Sequence, residues 1–324
     1  MNPKKIIVLL DVNYPNYEQE EGVLAELNPE FIIVEQGVSE TDLFKHLSTA
    51  SAVMVREFPI SETMINAMEQ CKVIVRYGVG VDNIDLRAAK QKGIYVANVP
   101  DYGSEEVSDH ALSLLLAVSR RIVSRDNDVR QGKWNIGPEE KIHSFVGKTL
   151  GVLGYGRIGR RFIEKARVFG FSRVLVYDPF MKGEIQGAEQ CGLDRLCEQA
   201  DAISLHIPLT KDNYHILNKE KLELLKKNCI VINTSRGGLI DEEILFGLLS
   251  NNRIFGAGLD VFEKEAPDVK SPLFNLKNVV VTDHMGWYSE ESLQDLQRKA
   301  AEEVKRVLTG TPPRSCVNDL MEVR

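Results

Sequence analysis

The sequence predicts an α/β protein of two domains, each a parallel sheet flanked by helices. Three observations support this fold class. The chain has 324 residues, a length typical of about two domains, and 43% of its residues are hydrophobic. Short β-branched runs alternate with helical patterns along the whole chain. A glycine motif, Gly-x-Gly-x-x-Gly at 154–159, follows one such run and opens a helical pattern.

The apolar runs fall into two series, one for each domain. The first series predicts a flavodoxin-like sheet, with runs at 6–10, 31–34, 52–55, 73–75 and 94–97. The second series includes the run before the glycine motif and has six members, which suits a Rossmann doubly wound sheet. Its runs lie at 149–153, 174–177, 202–205, 230–232, 256–259 and 279–281.

Helical patterns also lie outside these series. Residues 104–130 predict one long connecting helix, and residues 290–308 predict a charged amphipathic helix before a Gly-Thr-Pro-Pro breaker. We expect the tail to return to the first domain. The predicted domains are therefore 1–100 with 287–324, and 101–286 for dinucleotide binding.

Composition argues against several classes of partner. The net charge is -7 without a basic tract, so we expect no nucleic acid ligand. No apolar run approaches the roughly 18 residues of a membrane span, and residues 1–5 lead into a strand rather than a signal sequence, so we expect a cytoplasmic protein without a membrane partner. The five cysteines form no Cys-x-x-Cys pair and no Cys/His cluster, so neither a metal site nor disulfides are predicted.

The glycine motif is expected to bind the pyrophosphate of a dinucleotide. Gly154 permits a tight turn, Gly156 lets the pyrophosphate approach the backbone, and Gly159 lets the helix pack closely on the strand. The amides of Arg157 and Ile158 would lie at the positive end of that helix. A purely structural turn is the alternative.

Asp178 ends the second strand of this series, 24 positions after Gly154. An acidic residue about 20 positions downstream can accept hydrogen bonds from the adenosine ribose, and its charge would repel a 2′-phosphate. Pro179 and Phe180 supply no compensating arginine. NAD is therefore favoured over NADP. The alternative is a surface turn residue before Pro179.

Arg236, Glu265 and His284 are the candidate catalytic residues, because each follows an apolar run of the second series. Hydride transfer between nicotinamide and a 2-hydroxy or 2-keto acid needs a cation for the carboxylate and an acid/base for the C2 oxygen. Arg236 can clamp a carboxylate, His284 can exchange the proton, and Glu265 can orient the imidazole. Singly, they could be a turn arginine, a packing histidine and a solvated carboxylate.

The other histidines are weaker candidates. His46 lies on a predicted surface helix, His110 in the connecting helix and His143 in a polar loop. His206 and His215 flank a turn after a strand and would only border the cofactor.

Several motifs together identify a family. Segments 75–85, 154–159, 206–210, 233–242, 258–265 and 283–286 resemble the D-isomer-specific 2-hydroxyacid dehydrogenases in order and over nearly the whole chain. The resemblance implies a homodimer built around the cofactor domain and its dimerisation helix. It also implies the catalytic roles given above, with the amides of Val79 and Gly80 on the substrate carboxylate. The implied cofactor contacts are Tyr155, Arg157, Ile158, Asp178, Ile207, Pro208, Thr234, Ser235, Asp260 and Gly286.

Two positions depart from the family pattern. Asp283 stands where the family usually has proline before its histidine, and Ala266 stands where it usually has proline after its glutamate. Asp283 adds a carboxylate near His284 if it points inward, and does nothing if it is solvated.

Two branches of the family leave the function open. Segments 284–291, 316–318 and 105–109 resemble the C-terminal-binding-protein branch, which includes NAD-sensing corepressors, and this suggests an NAD(H)-gated interaction protein as an alternative. Arg56 and Arg76 resemble the anion-binding arginines of phosphoglycerate dehydrogenases. They would suit 3-phosphoglycerate or another small anionic acid of the glyoxylate and hydroxypyruvate type.

Each of these substrate assignments has a structural alternative. Arg56 and Arg76 could simply end adjacent strands and pair with Glu57 or Asp82. Trp287 could wall the substrate pocket or pack in the core.

Overall fold

The computed structural model describes residues 4–35, 37–134 and 141–320. The chain divides into two compact units. Unit 1 comprises Met1–Gly103 and Ser289–Arg324, and unit 2 comprises Ser104–Tyr288. Residues 1–3 and 321–324 of the predicted discontinuous domain lie outside the described residues.

Unit 1 contains a five-stranded parallel sheet. Its strands are β1 (Ile6–Leu10), β2 (Glu30–Val34), β3 (Ala52–Val55), β4 (Val73–Arg76) and β5 (Tyr95–Ala97). Their order is β2-β1-β3-β4-β5, the order of a flavodoxin-like sheet. Strands β3 and β4 are buried along their whole length, because helices cover both faces.

Short helices connect these strands. They are α1 (Glu18–Leu24), α2 (Glu40–Thr49), α3 (Glu62–Ala67) and α4 (Leu86–Gln91). Three of them begin at a side-chain cap, in which Ser39, Ser61 and Asp85 accept the hydrogen bond of a backbone N–H in the first turn.

Unit 2 begins with two helices where the sequence predicts one. Helix α5 (Ser104–Ser119) ends before α6 (Ile122–Arg130), so the prediction of a single long helix is wrong. Arg121 adopts a left-handed φ of 57°, which interrupts the helical path. Its guanidinium lies 4.1 Å from the centre of the Phe255 ring and donates to the Phe255 carbonyl oxygen, which holds the break in place.

The sheet of unit 2 has seven parallel strands. They are β6 (Thr149–Leu153), β7 (Arg173–Tyr177), β8 (Glu189–Gln190), β9 (Ala202–Leu205), β10 (Ile230–Asn233), β11 (Gly256–Leu259) and β12 (Val279–Val281). The order β12-β11-β10-β9-β6-β7-β8 is that of a Rossmann sheet with one further strand. The sequence predicts six strands and misses β8, which has only two residues and carries no apolar pattern.

Helices α7 (Arg157–Ala166), α8 (Leu193–Gln199), α9 (Lys219–Glu223) and α10 (Glu242–Ser250) connect these strands. The predicted α/β class, with its flavodoxin-like and Rossmann sheets, is confirmed.

The chain ends in unit 1, where α11 (Glu290–Leu308) is the predicted amphipathic helix. The tail after α11 then runs beside β5. Val317 N–H donates to the Val96 carbonyl oxygen at 2.9 Å, and the Asn318 side chain bonds the backbone of Val96 and Ile94. The tail thus covers the edge of the sheet. Among the described residues, α11 and the other helices include none long and apolar enough to cross a bilayer.

Candidate active site

The glycine motif forms the turn between β6 and α7. Gly154 has a φ of +97°, and a Cβ there would lie 2.4 Å from the carbonyl oxygen of His206. A Cβ on Gly159 would lie 2.1 Å from the carbonyl oxygen of Gly154. Both positions therefore exclude side chains. Gly156 has a φ of -73°, and a Cβ there would meet no atom within 4 Å. Its surroundings are open at the N-terminus of α7, as an approaching pyrophosphate requires.

Asp178 lies directly beside this turn. One carboxylate oxygen accepts a hydrogen bond from the Tyr155 N–H at 2.9 Å, and the other accepts one from the Phe180 N–H at 3.0 Å. The side chain is partly exposed. Its remaining lone pairs are available to ligand hydroxyls, which fits the predicted ribose contact.

The turns after β9 and β10 complete the candidate cofactor edge. A Cβ at Gly154 would lie 2.7 Å from Cγ2 of Ile207, so Ile207 packs on the glycine turn. The Thr234 hydroxyl is buried and has no hydrogen-bond partner among the described residues. A ligand at this edge could satisfy that hydroxyl. Ser235 differs, because its hydroxyl donates to the Leu205 carbonyl oxygen at 2.7 Å.

Asn233, the last residue of β10, fixes the turn that carries Arg236. Its side-chain oxygen accepts from the Ser235 N–H at 3.0 Å, and its Nδ2 donates to the Arg236 carbonyl oxygen at 2.9 Å. The Arg236 guanidinium donates to the Ser235 carbonyl oxygen at 2.8 Å. Asn233 was not among the predicted site residues, although its position just before Thr-Ser-Arg is a signal for a turn-forming side chain.

Glu265 and His284 form a hydrogen bond. Oε2 of Glu265 lies 2.8 Å from Nδ1 of His284. A carboxylate only accepts, so Nδ1 carries the hydrogen and Nε2 is left for a ligand. The side chains are 42% and 27% exposed, which leaves both accessible. They line a pocket of about 520 Å³ together with Asp260, Phe262, Ala266, Pro267, Phe274, Val281, Thr282 and Asp283.

Asp260 holds the turn that carries His284. Its carboxylate accepts hydrogen bonds from the Thr282 hydroxyl at 2.6 Å, the Met285 N–H at 3.0 Å and the Gly286 N–H at 2.9 Å. Its carbonyl oxygen accepts from the His284 N–H at 2.9 Å. His284 has a left-handed φ of 57°, which non-glycine residues rarely adopt, and these bonds stabilise that conformation.

His110 of α5 completes this network. Its Nε2 lies 2.9 Å from the Thr282 hydroxyl and 3.3 Å from the Asp260 carboxylate. Burial alone would raise the pKa of Asp260, but hydrogen bonds from His110, Thr282 and Gly286 outweigh burial and lower the pKa. Asp260 is therefore a buried, ionised carboxylate. The roles of His110 and Thr282 were not predicted, because the sequence does not show that α5 packs against the turn after β12.

His206 is a weaker candidate for the proton donor than His284. Its Nε2 lies 2.9 Å from the Ser204 hydroxyl, and burial lowers the pKa of His206 to about 3. The imidazole is therefore neutral near pH 7. A lowered pKa makes His206 a poor proton donor at that pH.

The sheet order relates the three candidate catalytic residues. Arg236 follows β10, Glu265 follows β11 and His284 follows β12, and these three strands are adjacent and parallel. Their carboxyl ends share one edge, where open α/β sheets bind ligands.

The candidate substrate residues of unit 1 lie at the end of β4 or in the turns after β3 and β4. Arg76 is buried and pairs with Glu57 at 2.6 Å, which is the structural alternative named from the sequence. Arg56 is only partly buried, with Nη1 3.5 Å from the Val12 carbonyl oxygen.

The turn after Arg76 carries the other two candidates. Val79 is 44% exposed, and its carbonyl oxygen accepts from Asn98 Nδ2 at 2.6 Å. Gly80 is partly exposed.

The positions that depart from the family pattern lie at the pocket. Asp283 is exposed and lines the pocket with His284, as does Ala266.

Trp287 is half-buried and is not among the lining residues. Its ring packs edge-on against Tyr288, with the ring centres 5.6 Å apart.

Comparison with known proteins identifies the family. The D-isomer specific 2-hydroxyacid dehydrogenase NAD binding domain matches residues 112–286, which lie within unit 2. The chain belongs to this family. Unit 2 therefore contains the NAD-binding domain of a D-2-hydroxyacid dehydrogenase.

Individual family members are similar over most of the chain. The D-3-phosphoglycerate dehydrogenase of Methanocaldococcus jannaschii is 38% identical over 96% of the chain, which spans only 60% of that protein's length. The glyoxylate reductase of Korarchaeum cryptofilum is 37% identical over 82% of both chains. The solved D-lactate dehydrogenase of Aquifex aeolicus, complexed with NAD and lactic acid, has a TM-score of 0.84 and 28% identity, and the match covers 94% of this chain and 96% of that one.

Proposed function

We propose that the chain is an NAD-dependent dehydrogenase that interconverts small anionic 2-keto acids and D-2-hydroxy acids. The observation that carries this proposal is the hydrogen bond between Glu265 and His284, at the edge of the sheet in the family's NAD-binding domain. Arg236, after the neighbouring strand, supplies the cation that the substrate carboxylate needs.

The carboxyl edge of unit 2 fits NAD. The open space at Gly156 and the amides of Arg157 and Ile158 suit the pyrophosphate, while Asp178 suits the ribose. The buried Thr234 hydroxyl suits a polar group of the cofactor. NADH, when bound, supplies a hydride to C2 of the keto acid. The remaining proposed contacts are Gly154, Tyr155, Gly159, Ile207, Pro208, Ser235, Asp260 and Gly286.

His284 serves as the acid in reduction. Because Glu265 accepts the Nδ1 hydrogen, Nε2 is directed to the substrate, where it donates a proton to the C2 oxygen and takes it back in oxidation. Glu265 fixes the ring and stabilises the imidazolium form. Arg236 binds the carboxylate beside C2 and fixes the orientation of the reacting carbon.

The substrate is proposed to be a small acid of the 3-phosphohydroxypyruvate, glyoxylate and hydroxypyruvate type, as the names of the relatives suggest. Val79 and Gly80 are the proposed backbone donors to its carboxylate, and Trp287 stays a candidate for the pocket wall. Arg76 already pairs with Glu57. Arg56 is therefore the stronger candidate to bind a second anionic group of the substrate.

A panel of 2-keto acids tests this function. We expect NADH oxidation with at least one panel member, lost in Arg236→Ala and His284→Ala. NADH binding without turnover on any member would contradict the proposal.

If the phosphorylated acid is the substrate, Arg56→Ala raises the KM for 3-phosphohydroxypyruvate and leaves that for glyoxylate unchanged. Equal increases in the two KM values would show that Arg56 does not bind the phosphate group.

A homodimer is also proposed. Helix α6 exposes Ile122, Val123 and Val129 to between 44% and 56%, an apolar surface that a second copy would cover. Sedimentation of the purified chain should give twice the monomer mass, and a monomer at micromolar concentration would contradict the proposal. The expected cytoplasmic location stays a prediction.

The reported relatives are named for 2-hydroxy or 2-keto acid chemistry, and none of these names supports the alternative of an NAD(H)-gated interaction protein.

A further inference from the structure

The loop that carries Glu265 lies directly against the turn that carries Arg236. A Cβ on Gly237 would lie 1.8 Å from the carbonyl carbon of Phe262 and 2.3 Å from the backbone nitrogen of Glu263. The two backbones therefore meet with no side chain between them.

Glu242 and Glu263 supply reciprocal contacts between these two segments. The Glu242 N–H donates to a carboxylate oxygen of Glu263 at 3.0 Å. The Glu263 N–H donates to a carboxylate oxygen of Glu242 at 3.2 Å. The arrangement resembles a capping box, in which each side chain binds the backbone of the other residue. It also brings negative charges close together, which a cationic partner would stabilise.

His215 lies among these carboxylates. Its Nε2 is 2.6 Å from the Glu263 carboxylate, and its Nδ1 is 3.8 Å from the Asp241 carboxylate. The backbone N–H of His215 donates to the Gly238 carbonyl oxygen at 2.8 Å. The imidazole ring stacks on the Tyr214 ring, with the ring centres 4.0 Å apart. The two ring nitrogens face carboxylates of different segments. The imidazole therefore links the segments after β9, β10 and β11.

We propose that His215, Glu242 and Glu263 form a clasp that positions Glu265 against His284 and thereby sets the turnover rate. The clasp residues are positioning residues that act through Glu265, two positions after Glu263. This inference rests on the proposed dehydrogenase function. It assigns a role to His215 beyond bordering the cofactor.

A double-mutant cycle tests the clasp. Glu263→Ala should lower kcat for the preferred keto acid by about tenfold or more, because a displacement of about 1 Å can cost up to about a hundredfold in rate. The Kd for NADH should stay within about twofold. In the Glu265→Ala background, Glu263→Ala should alter kcat by less than about twofold, because the residue through which Glu263 acts is already removed. Equal losses of kcat in both backgrounds would overturn the proposal.

Further variants separate positioning from folding. Glu263→Gln keeps an acceptor oxygen and should recover most of the kcat lost in Glu263→Ala. His215→Phe keeps the stack on Tyr214 but loses both nitrogens, and should lower kcat in the same direction as Glu263→Ala. Lys264→Ala, at the exposed neighbouring position, is the matched control and should leave kcat unchanged. A Gln variant no better than the Ala variant would contradict the hydrogen-bonding role.

Hydrogen–deuterium exchange provides a readout that does not depend on activity. Peptides covering residues 260–268 should lose protection in Glu263→Ala and His215→Phe, but not in Lys264→Ala. Should the wild type reduce no keto acid, the proposed function fails while the exchange result still decides the clasp. Unchanged exchange in both clasp variants would overturn it.

Discussion

The Thr282 hydroxyl donates a hydrogen bond of 2.6 Å to Asp260, and this bond ties the end of β12 to the end of β11 two residues before His284. The same carboxylate accepts the N–H groups of Met285 and Gly286 just after that histidine. Asp260 therefore fixes the backbone on both sides of the proposed acid. The geometry of the proposed acid therefore depends on a carboxylate that is itself buried.

Asp260→Asn should impair this turn. The new Nδ2 would face a backbone N–H, so one buried donor loses its acceptor at a cost of about 1–3 kcal/mol. We expect kcat to fall by about tenfold or more, with a lower Tm. Thr282→Val, which removes only one donor, should have a smaller effect on both. Steady-state kinetics and thermal unfolding show whether Asp260→Asn has the larger effect on kcat and Tm. An Asp260→Asn variant with wild-type kcat would contradict the prediction.

Alanine at two glycines of the motif should have different effects. At Gly159 the new Cβ would lie 2.1 Å from the Gly154 carbonyl oxygen, so Gly159→Ala should lower both Tm and NADH affinity. At Gly156 the φ of -73° suits alanine and no atom lies within 4 Å, so Gly156→Ala should keep Tm. It should still weaken NADH binding about tenfold, because the methyl group occupies the proposed pyrophosphate approach. Fluorescence titration measures the Kd for NADH of the two variants, and thermal unfolding measures their Tm.

Asp178→Asn should change the cofactor preference. The amide keeps one acceptor oxygen beside the glycine turn but removes the charge that repels a 2′-phosphate. We expect the ratio of kcat/KM for NADH over NADPH to fall by about tenfold. An unchanged ratio would show that Asp178 is not the residue that selects NAD.

Glu20 of α1 should make stability depend on pH. It is fully buried, and its carboxylate accepts hydrogen bonds from the Tyr77 hydroxyl at 2.7 Å and from Gln297 at 3.1 Å. Burial raises the pKa of Glu20 despite these donors. A folded-state pKa above the unfolded value means that the stability contribution is full below the unfolded pKa and is lost as pH rises through the folded pKa.

Glu20→Gln mimics the protonated acid and removes this dependence. The variant should gain free energy of unfolding over the wild type as pH increases from about 4 to 7. Urea unfolding across this range measures the difference. A constant difference at all pH values would show that Glu20 does not titrate with a raised pKa.

The sequence predicts more of the sheets than of the connections between them. Runs such as 149–153 carry the apolar pattern of buried parallel strands, and the structure has a strand at each predicted position. The helix break at Arg121 could not be predicted, since it depends on contact with Phe255, 134 positions away. The short strand β8 could not be predicted either, because its two residues carry no apolar pattern.

The candidate site shows the same division. Glu265 and His284 were predictable because polar residues after buried strands meet at one sheet edge, and their contact is present. Asn233 and Glu263 support that edge through hydrogen bonds to backbone groups, and His110 supports it through the Thr282 hydroxyl. The position of Asn233 carries a local turn signal, but no residue spacing encodes the contacts of His110 and Glu263, so only the structure shows their roles.

The most direct test of the account is the turnover of His284→Ala with the keto acid that the wild type reduces fastest, measured beside the Kd for NADH. Loss of a positioned general acid should lower kcat by about 100-fold or more while the Kd for NADH stays within about twofold. His46→Ala, a histidine on α2, is the matched control and should keep wild-type kcat. A His284→Ala variant that retains kcat within about threefold would contradict the assignment of His284 as the proton donor.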